Sequence, residues 1–148
     1  MHPSLSNIDT RSNDIGIMGC GRIGLSVAVT LSERGHIVRI LDLSSNSLDL
    51  LPANMIEDGR ITPIVGDGTR EDDLRKASIQ DSDVFIALSG KDSQNALSAQ
   101  IAKHILQTPI VICRIDDSSK KDMYTQLGLI TINAAELVLE AILESTDS

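Results

Sequence analysis

Three glycines stand in the order G-x-G-x-x-G within Gly19-Cys20-Gly21-Arg22-Ile23-Gly24. Glycine at this spacing does one piece of chemistry well: it lets backbone N–H groups close on a polyanion such as a pyrophosphate. Alone the pattern is weak, because three glycines often coincide. Here the apolar run Ile15–Met18 precedes it and a helical pattern follows directly, which is the context that gives each glycine a job. Gly19 permits the tight turn, Gly21 leaves no Cβ between backbone and phosphate, and Gly24 lets the helix lie close to the strand. The same pattern calls for an acid at the end of the second strand. Asp42 stands there, 18 residues beyond Gly24. Its carboxylate can accept both ribose hydroxyls and would repel a 2′-phosphate. The plainer reading of Asp42 is a cap on the following Leu43-Ser44-Ser45-Asn46-Ser47 turn.

Other chemistry-bearing residues gather where strands end. The third strand runs into Gly66-Asp67-Gly68-Thr69, small and polar, suited to the rim of an adenine pocket. The fourth ends in Ser89-Gly90-Lys91-Asp92, with Asn95 beyond, and the fifth ends in Arg114. A parallel sheet binds ligands at its carboxyl edge, so Arg22, Lys91 and Arg114 would converge on one crevice and suit a phosphate-bearing ligand. For each the bland alternative is a solvated surface cation.

The elements that must position these residues recur at intervals of about 20 to 27 residues. Aliphatic runs at 15–18, 37–41, 61–65, 84–88, 110–113 and 129–132 show little polar alternation, as strands covered on both faces do. Helical patterns fall at 22–34, 45–56, 70–77, 93–106, 118–127 and 134–145. Ile23, Val27 and Leu31 mark the expected buried face of the first helix, and Leu97, Ile101 and Ile105 that of the fourth, with Asp92 or Ser93 as its cap. Strand and helix alternating six times predict a doubly wound, three-layer α/β fold around a parallel sheet of about six strands. Residues 1–13 read as a polar tail and 14–146 as one nucleotide-binding domain. In the last helix Leu137, Val138, Ala141 and Ile142, flanked by Glu136, Glu140 and Glu144, make an apolar stripe. It either covers the protein's own sheet or meets a partner.

Bulk composition narrows the function. At 148 residues, 41% hydrophobic and 23% charged, the chain has the makings of one globular domain. Thirteen Lys and Arg against 21 Asp and Glu leave a formal charge of −8, which argues against a nucleic-acid or anionic-membrane surface. The N-terminal Met1-His2-Pro3-Ser4 stretch lacks a basic-then-apolar signal pattern. No apolar run approaches the roughly 20 residues of a membrane span. Cys20 and Cys113 fit no metal or redox spacing and read as buried free thiols. These features predict a cytoplasmic domain.

The pieces Gly19–Gly24, Leu41-Asp42, Gly66–Thr69 with its downstream KASIQDSD, SGKDSQN and VICRI together resemble the regulator of K⁺ conductance family (RCK, or TrkA-N), over roughly residues 15–145. The resemblance implies a cytoplasmic ligand-sensing domain that gates a potassium transporter or channel, peripheral to the inner membrane face through that partner. It implies binding of NAD(H), or of ATP, ADP or AMP, with NADP disfavoured by Asp42. Members pair into homodimers or rings through their terminal helices. Carried onto this chain, Gly19, Cys20, Gly21, Arg22, Ile23 and Gly24 with Arg114 would hold the phosphates, and Asp42 the ribose beside Leu43. Asp67, Gly68 and Thr69 would edge the adenine, and Ser89, Gly90, Lys91 and Asn95 would face the far half. The chain departs from the family at Asn133–Glu136, where relatives often have Pro then Glu.

An enzyme would need a tuned acid or base at the carboxyl edge. His2, His36 and His104 fall elsewhere, and Tyr124 has no Lys four residues on. No catalytic residue and no metal site is expected. The competing reading is the cofactor domain of an NAD-dependent oxidoreductase whose catalytic part lies on another domain or chain.

Overall fold

The computed structural model describes residues 13–147; the expected tail at 1–13 lies outside them except for Asn13. Six strands are β1 (Asp14–Met18), β2 (Ile37–Asp42), β3 (Ile61–Val65), β4 (Val84–Ala87), β5 (Ile110–Arg114) and β6 (Ile130–Ile132). All neighbours pair in parallel, in the order β3-β2-β1-β4-β5-β6. Chain direction across the sheet reverses between β1 and β4, so their carboxyl ends flank a natural crevice.

Helices are α1 (Arg22–Glu33), α2 (Ser45–Leu48), α3 (Ala53–Glu57), α4 (Glu71–Lys76), α5 (Asp92–Gln100), α6 (Lys121–Gln126) and α7 (Ala134–Thr146). Strand side chains alternate between two cores. Ile15, Ile17, Val38, Ile40 and Ile86 pack with Ala28 of α1, Leu48 of α2 and Met55 of α3. Leu41, Phe85, Ala87, Val111 and Cys113 pack with Leu74 of α4 and Ala96 and Ala99 of α5. Both faces of the sheet are therefore covered, which is why its strands carry unbroken aliphatic runs. Each buried Val, Ile, Leu, Phe or Met among them contributes about 1.5–3 kcal/mol by leaving water.

Three local expectations are corrected. The helix expected over 45–56 is two short helices, because Pro52 has no N–H for a helical bond and disfavours helical backbone at Leu51. The buried faces of α1 and α5 are built from small residues: Gly24, Ala28 and Ser32 in one, Asn95, Ala96, Ser98 and Ala99 in the other. Ile23, Leu97 and Ile105 are 41%, 48% and 50% exposed, while Val27 and Leu31 pack half-buried against one core and Ile101 is buried in the other, so each expected stripe is only partly turned inward. Beyond Gln100 the helix widens into a π turn over Ile101–Ile105, closed by Leu106 N–H donating to Ile101 C=O at 2.9 Å.

Helix α7 has no buried residue, and Leu137, Val138, Leu139, Ile142 and Leu143 are 43–60% exposed. Its apolar side does not cover the sheet of this chain. No helix is long and apolar enough to cross a membrane among the described residues.

Candidate functional site

The glycine turn is built by close backbone contacts. Gly19 takes φ of +104° and donates its N–H to Leu41 C=O at 2.9 Å; a Cβ there would sit 2.8 Å from Ser89 N. A Cβ at Gly24 would collide with the Gly19 carbonyl oxygen, so the first turn of α1 rests directly on the loop. Gly21 differs: a Cβ there meets nothing within 4 Å. It precedes α1 in extended conformation with no side-chain cap, leaving the helix's first N–H groups open at its positive end. A space that a Cβ would fill, facing uncapped N–H groups, is the geometry a phosphate needs.

Asp42 performs the capping role and more. Its Oδ2 accepts from Cys20 N–H at 2.7 Å and its Oδ1 from Ser44 N–H at 2.8 Å. One carboxylate thus ties the glycine loop to the β2–α2 turn, and each oxygen keeps a further lone pair. The Cys20 side chain is buried with Sγ 3.5 Å from Ser47 C=O, and burial first, then Asp42, pushes its thiol pKa up. Cys113, free and buried in the core, is pushed up to about 12 by burial, with Asp92 adding to it.

One cleft joins seven of the sixteen expected residues. Gly19, Asp42 and Leu43 form one wall, Gly66 to Thr69 another, and Ser89 a third, over a floor of Met18 and Leu41. Asp67 Oδ1 accepts from Thr69 Oγ1 at 2.6 Å and Thr69 N–H at 2.9 Å, which holds the Asp67 carboxyl below its ordinary range. Asp73 Oδ2 takes the Asp67 N–H at 2.7 Å. The Asp67 carboxylate is therefore engaged in shaping its own loop.

Nine expected residues lie outside the cleft wall: Gly21, described above at the start of α1, and eight others. Cys20 and Gly24 are buried beneath the turn. Asn95, wholly buried, accepts from Ser89 N–H at 2.8 Å and donates to Ser89 C=O at 2.9 Å and Arg114 C=O at 3.0 Å. It clamps the ends of β4 and β5 together, so its side chain does not face a ligand. Arg114 forks onto Asp116, with Nη2–Oδ2 at 3.0 Å and Nε–Oδ1 at 3.2 Å, which neutralises its charge locally. Arg22, Ile23, Gly90 and Lys91 are exposed, and neither Arg22 nor Lys91 has an ion-pair partner among the described residues.

The structure adds Gln94 to the cleft. Sequence reading chose its neighbour Asn95, since only the exact start of α5 decides which of two adjacent amides turns inward. Asp92 does not cap α5 either: Lys91 precedes the helix without a side-chain bond. The Asp92 carboxylate accepts instead from Asp116 N–H at 2.9 Å and Asp117 N–H at 2.8 Å. Asn133 continues this path, donating to Ile115 C=O at 3.2 Å and Asp116 C=O at 2.9 Å while capping α7 through Glu136 N–H at 3.0 Å. The histidines stay away from the cleft: His36 is buried and accepts the Asn13 N–H at 3.0 Å, and His104 is exposed. Among the described residues no group of three His, Cys, Asp or Glu could hold a metal ion.

A parallel sheet of this strand order, with a glycine turn and a helix N-terminus at its switch point, defines a Rossmann-like α/β domain. The family profile described as TrkA-N domain matches residues 15–135, and the chain belongs to that family. The "Trk system potassium uptake protein TrkA" of Streptomyces coelicolor is 34% identical over 118 residues, covering 80% of this chain and 51% of that protein. Among solved structures, the TrkA-N domain of the inner membrane protein ybaL from Escherichia coli superposes with a TM-score of 0.77 at 16% identity, covering 90% of this chain and 96% of that one. The Kef CTD of Shewanella denitrificans in AMP-bound form superposes with a TM-score of 0.68 at 25% identity, covering 88% and 80%. The chain spans about half the length of the curated relatives it matches.

Proposed function

We propose that this chain is a nucleotide-sensing regulatory domain of a potassium uptake system or channel, without catalytic turnover. The observation that carries the reading is the open space at Gly21 against the uncapped start of α1. Phosphates sit there on backbone N–H groups, with the exposed Arg22 beside them. Asp42 uses its spare lone pairs on the adjacent ribose, and the cleft between Leu43, Gly68 and Thr69 takes the adenine. NAD(H) is the favoured ligand, with ATP, ADP or AMP as competitors for the same cradle. NADP is disfavoured because a 2′-phosphate would meet the Asp42 carboxylate. The AMP-bound Kef relative supports the nucleotide class.

The exposed apolar side of α7 meets a second copy of the chain, giving a homodimer or a larger ring at the cytoplasmic face of a membrane partner. Unequal affinities of two nucleotides for two arrangements of that assembly would move the partner.

Isothermal titration of the purified chain with NADH, NAD⁺, ATP, ADP and NADPH in one buffer tests this. Selective binding without hydride transfer supports the sensor, and the ranking names its signal. No binding to any of the five overturns it.

A further inference from the structure

The polar side chains that line the cleft are nearly all committed to the protein itself. Asp42 accepts two backbone N–H groups. Asp67 and Thr69 bond each other. The Ser89 hydroxyl donates to Lys91 C=O and accepts from Lys91 N–H, both at 3.3 Å. Gln94 is the exception: its carboxamide is half-buried in the cleft wall and has no hydrogen-bond partner among the described residues.

The backbone around Gln94 is fixed. Asp92, two residues before, is tied to the Asp116 and Asp117 amides, and Asn95, the next residue, is clamped to Ser89 and Arg114. The carboxamide is thus presented from a rigid first turn, beside the Gly66–Thr69 rim. Because this carboxamide is not committed to the protein, a ligand can take its hydrogen bonds in exchange for those to water without breaking any internal bond. A carboxamide offers a donor and an acceptor side by side. Adenine is the complementary partner, because its amino group lies next to a ring nitrogen. The apolar floor of Met18 and Leu41 and the flush Gly68 suit the flat purine ring.

We infer that Gln94 reads the nucleobase, its carbonyl accepting from the adenine amino group and its NH₂ donating to the neighbouring ring nitrogen. This rests on the nucleotide-binding reading above. It assigns base recognition to a side chain of α5, across the switch point from the phosphate cradle.

The experiment is a double cycle: wild-type chain and Gln94→Ala, each titrated with ADP and with purine riboside diphosphate, which lacks the amino group. The wild type is expected to bind ADP about 5-fold more tightly than the deaminated analogue, which keeps the ring nitrogen and loses one half of the bidentate contact. Gln94→Ala is expected to lose about 10-fold for ADP and to bind both ligands equally. Gln94→Leu, which keeps the bulk without the amide, should match Gln94→Ala, and circular dichroism should show both folded. If Gln94→Ala or Gln94→Leu keeps the wild-type preference for ADP, the inference is overturned while nucleotide binding stands. If the wild type binds neither ligand, the nucleotide reading itself fails and the inference goes with it.

Discussion

Alanine at Gly21 and alanine at Gly24 should have opposite signatures, although the two positions lie three residues apart in one loop. At Gly24 the new methyl would collide with the Gly19 carbonyl oxygen and lie 2.9 Å from its carbon, backbone atoms that have no rotamer to escape into. The first turn of α1 must lift off the loop. Overpacking of this kind costs about 1–3 kcal/mol, and in a domain near this size each kcal/mol lowers Tm by roughly 2–4 °C. A drop of roughly 2–12 °C is expected for Gly24→Ala. At Gly21 the backbone has φ of −81°, open to any residue, and the methyl meets nothing within 4 Å. The cost of a poorer cap, about 1 kcal/mol, is offset by about 0.4–1 kcal/mol from the stiffer unfolded chain. Tm should therefore stay within about 2 °C, while nucleotide affinity falls at least tenfold, since a hydrogen bond to a charged group is worth about 1.5–3 kcal/mol. Thermal melts and calorimetric titration with ADP and NADH read both quantities. A Gly21→Ala protein that melts with the wild type and binds as tightly would show that phosphates do not lie on this turn.

Three further outcomes follow from particular contacts. Asp42→Ala orphans the Cys20 N–H, so it should destabilise the fold by about 1–3 kcal/mol as well as narrow the preference for NADH over NADPH. An unchanged Tm would remove the tether, and an unchanged ratio would remove the ribose contact. Ile142→Asp changes a side chain 54% exposed, so it should leave monomer stability untouched and shift sedimentation toward the monomer; an unaltered sedimentation profile would clear α7 of the contact. The Asp67 carboxyl titrates below its ordinary 3.8 because Thr69 donates to the charged form. Ordering of the rim is therefore present above pH 3.8 and lost as pH falls through the depressed native value. Protection of the Thr69 amide against hydrogen exchange, taken relative to its intrinsic rate at each pH, should fall as pH drops through that depressed value, and Asp67→Ala should lack it at all pH; protection that persists in Asp67→Ala would refute it.

The parallel sheet could be read from the chain because strands covered on both faces leave unbroken aliphatic runs, a signal that needs no knowledge of neighbours. The helices were legible in position but only partly in orientation: Val27, Leu31 and Ile101 pack inward as expected. Hydrophobic periodicity weights Ile and Leu, whereas a helix that packs closely on a sheet buries Gly24, Ala28 and Ser32 and leaves Ile23 outside. The cleft followed from the glycine spacing and the strand ends. Its details did not, because they depend on tertiary bonds: Asn95 on Ser89 and Arg114, Arg114 on Asp116, Asp92 on the following loop. The Arg114–Asp116 pair had a local sign, two opposite charges two residues apart at a strand end. Nothing in the sequence marks the choice between Gln94 and Asn95.

The bonds from Asp92 through Asp116 to Asn133 place the base of α7 on the same rigid frame as the cleft wall. The 13 residues of that helix make an arm roughly 20 Å long. Its fastenings are at one end, in the Asn133 cap and the Lys121–Glu136 ion pair at 3.1 Å. Such an arm works as a pointer on a dial. A rotation of about 10° at its pivot would carry the tip through roughly 3–4 Å for a helix of this pitch, so a change too small to notice around a bound base becomes a full side-chain diameter at the far end.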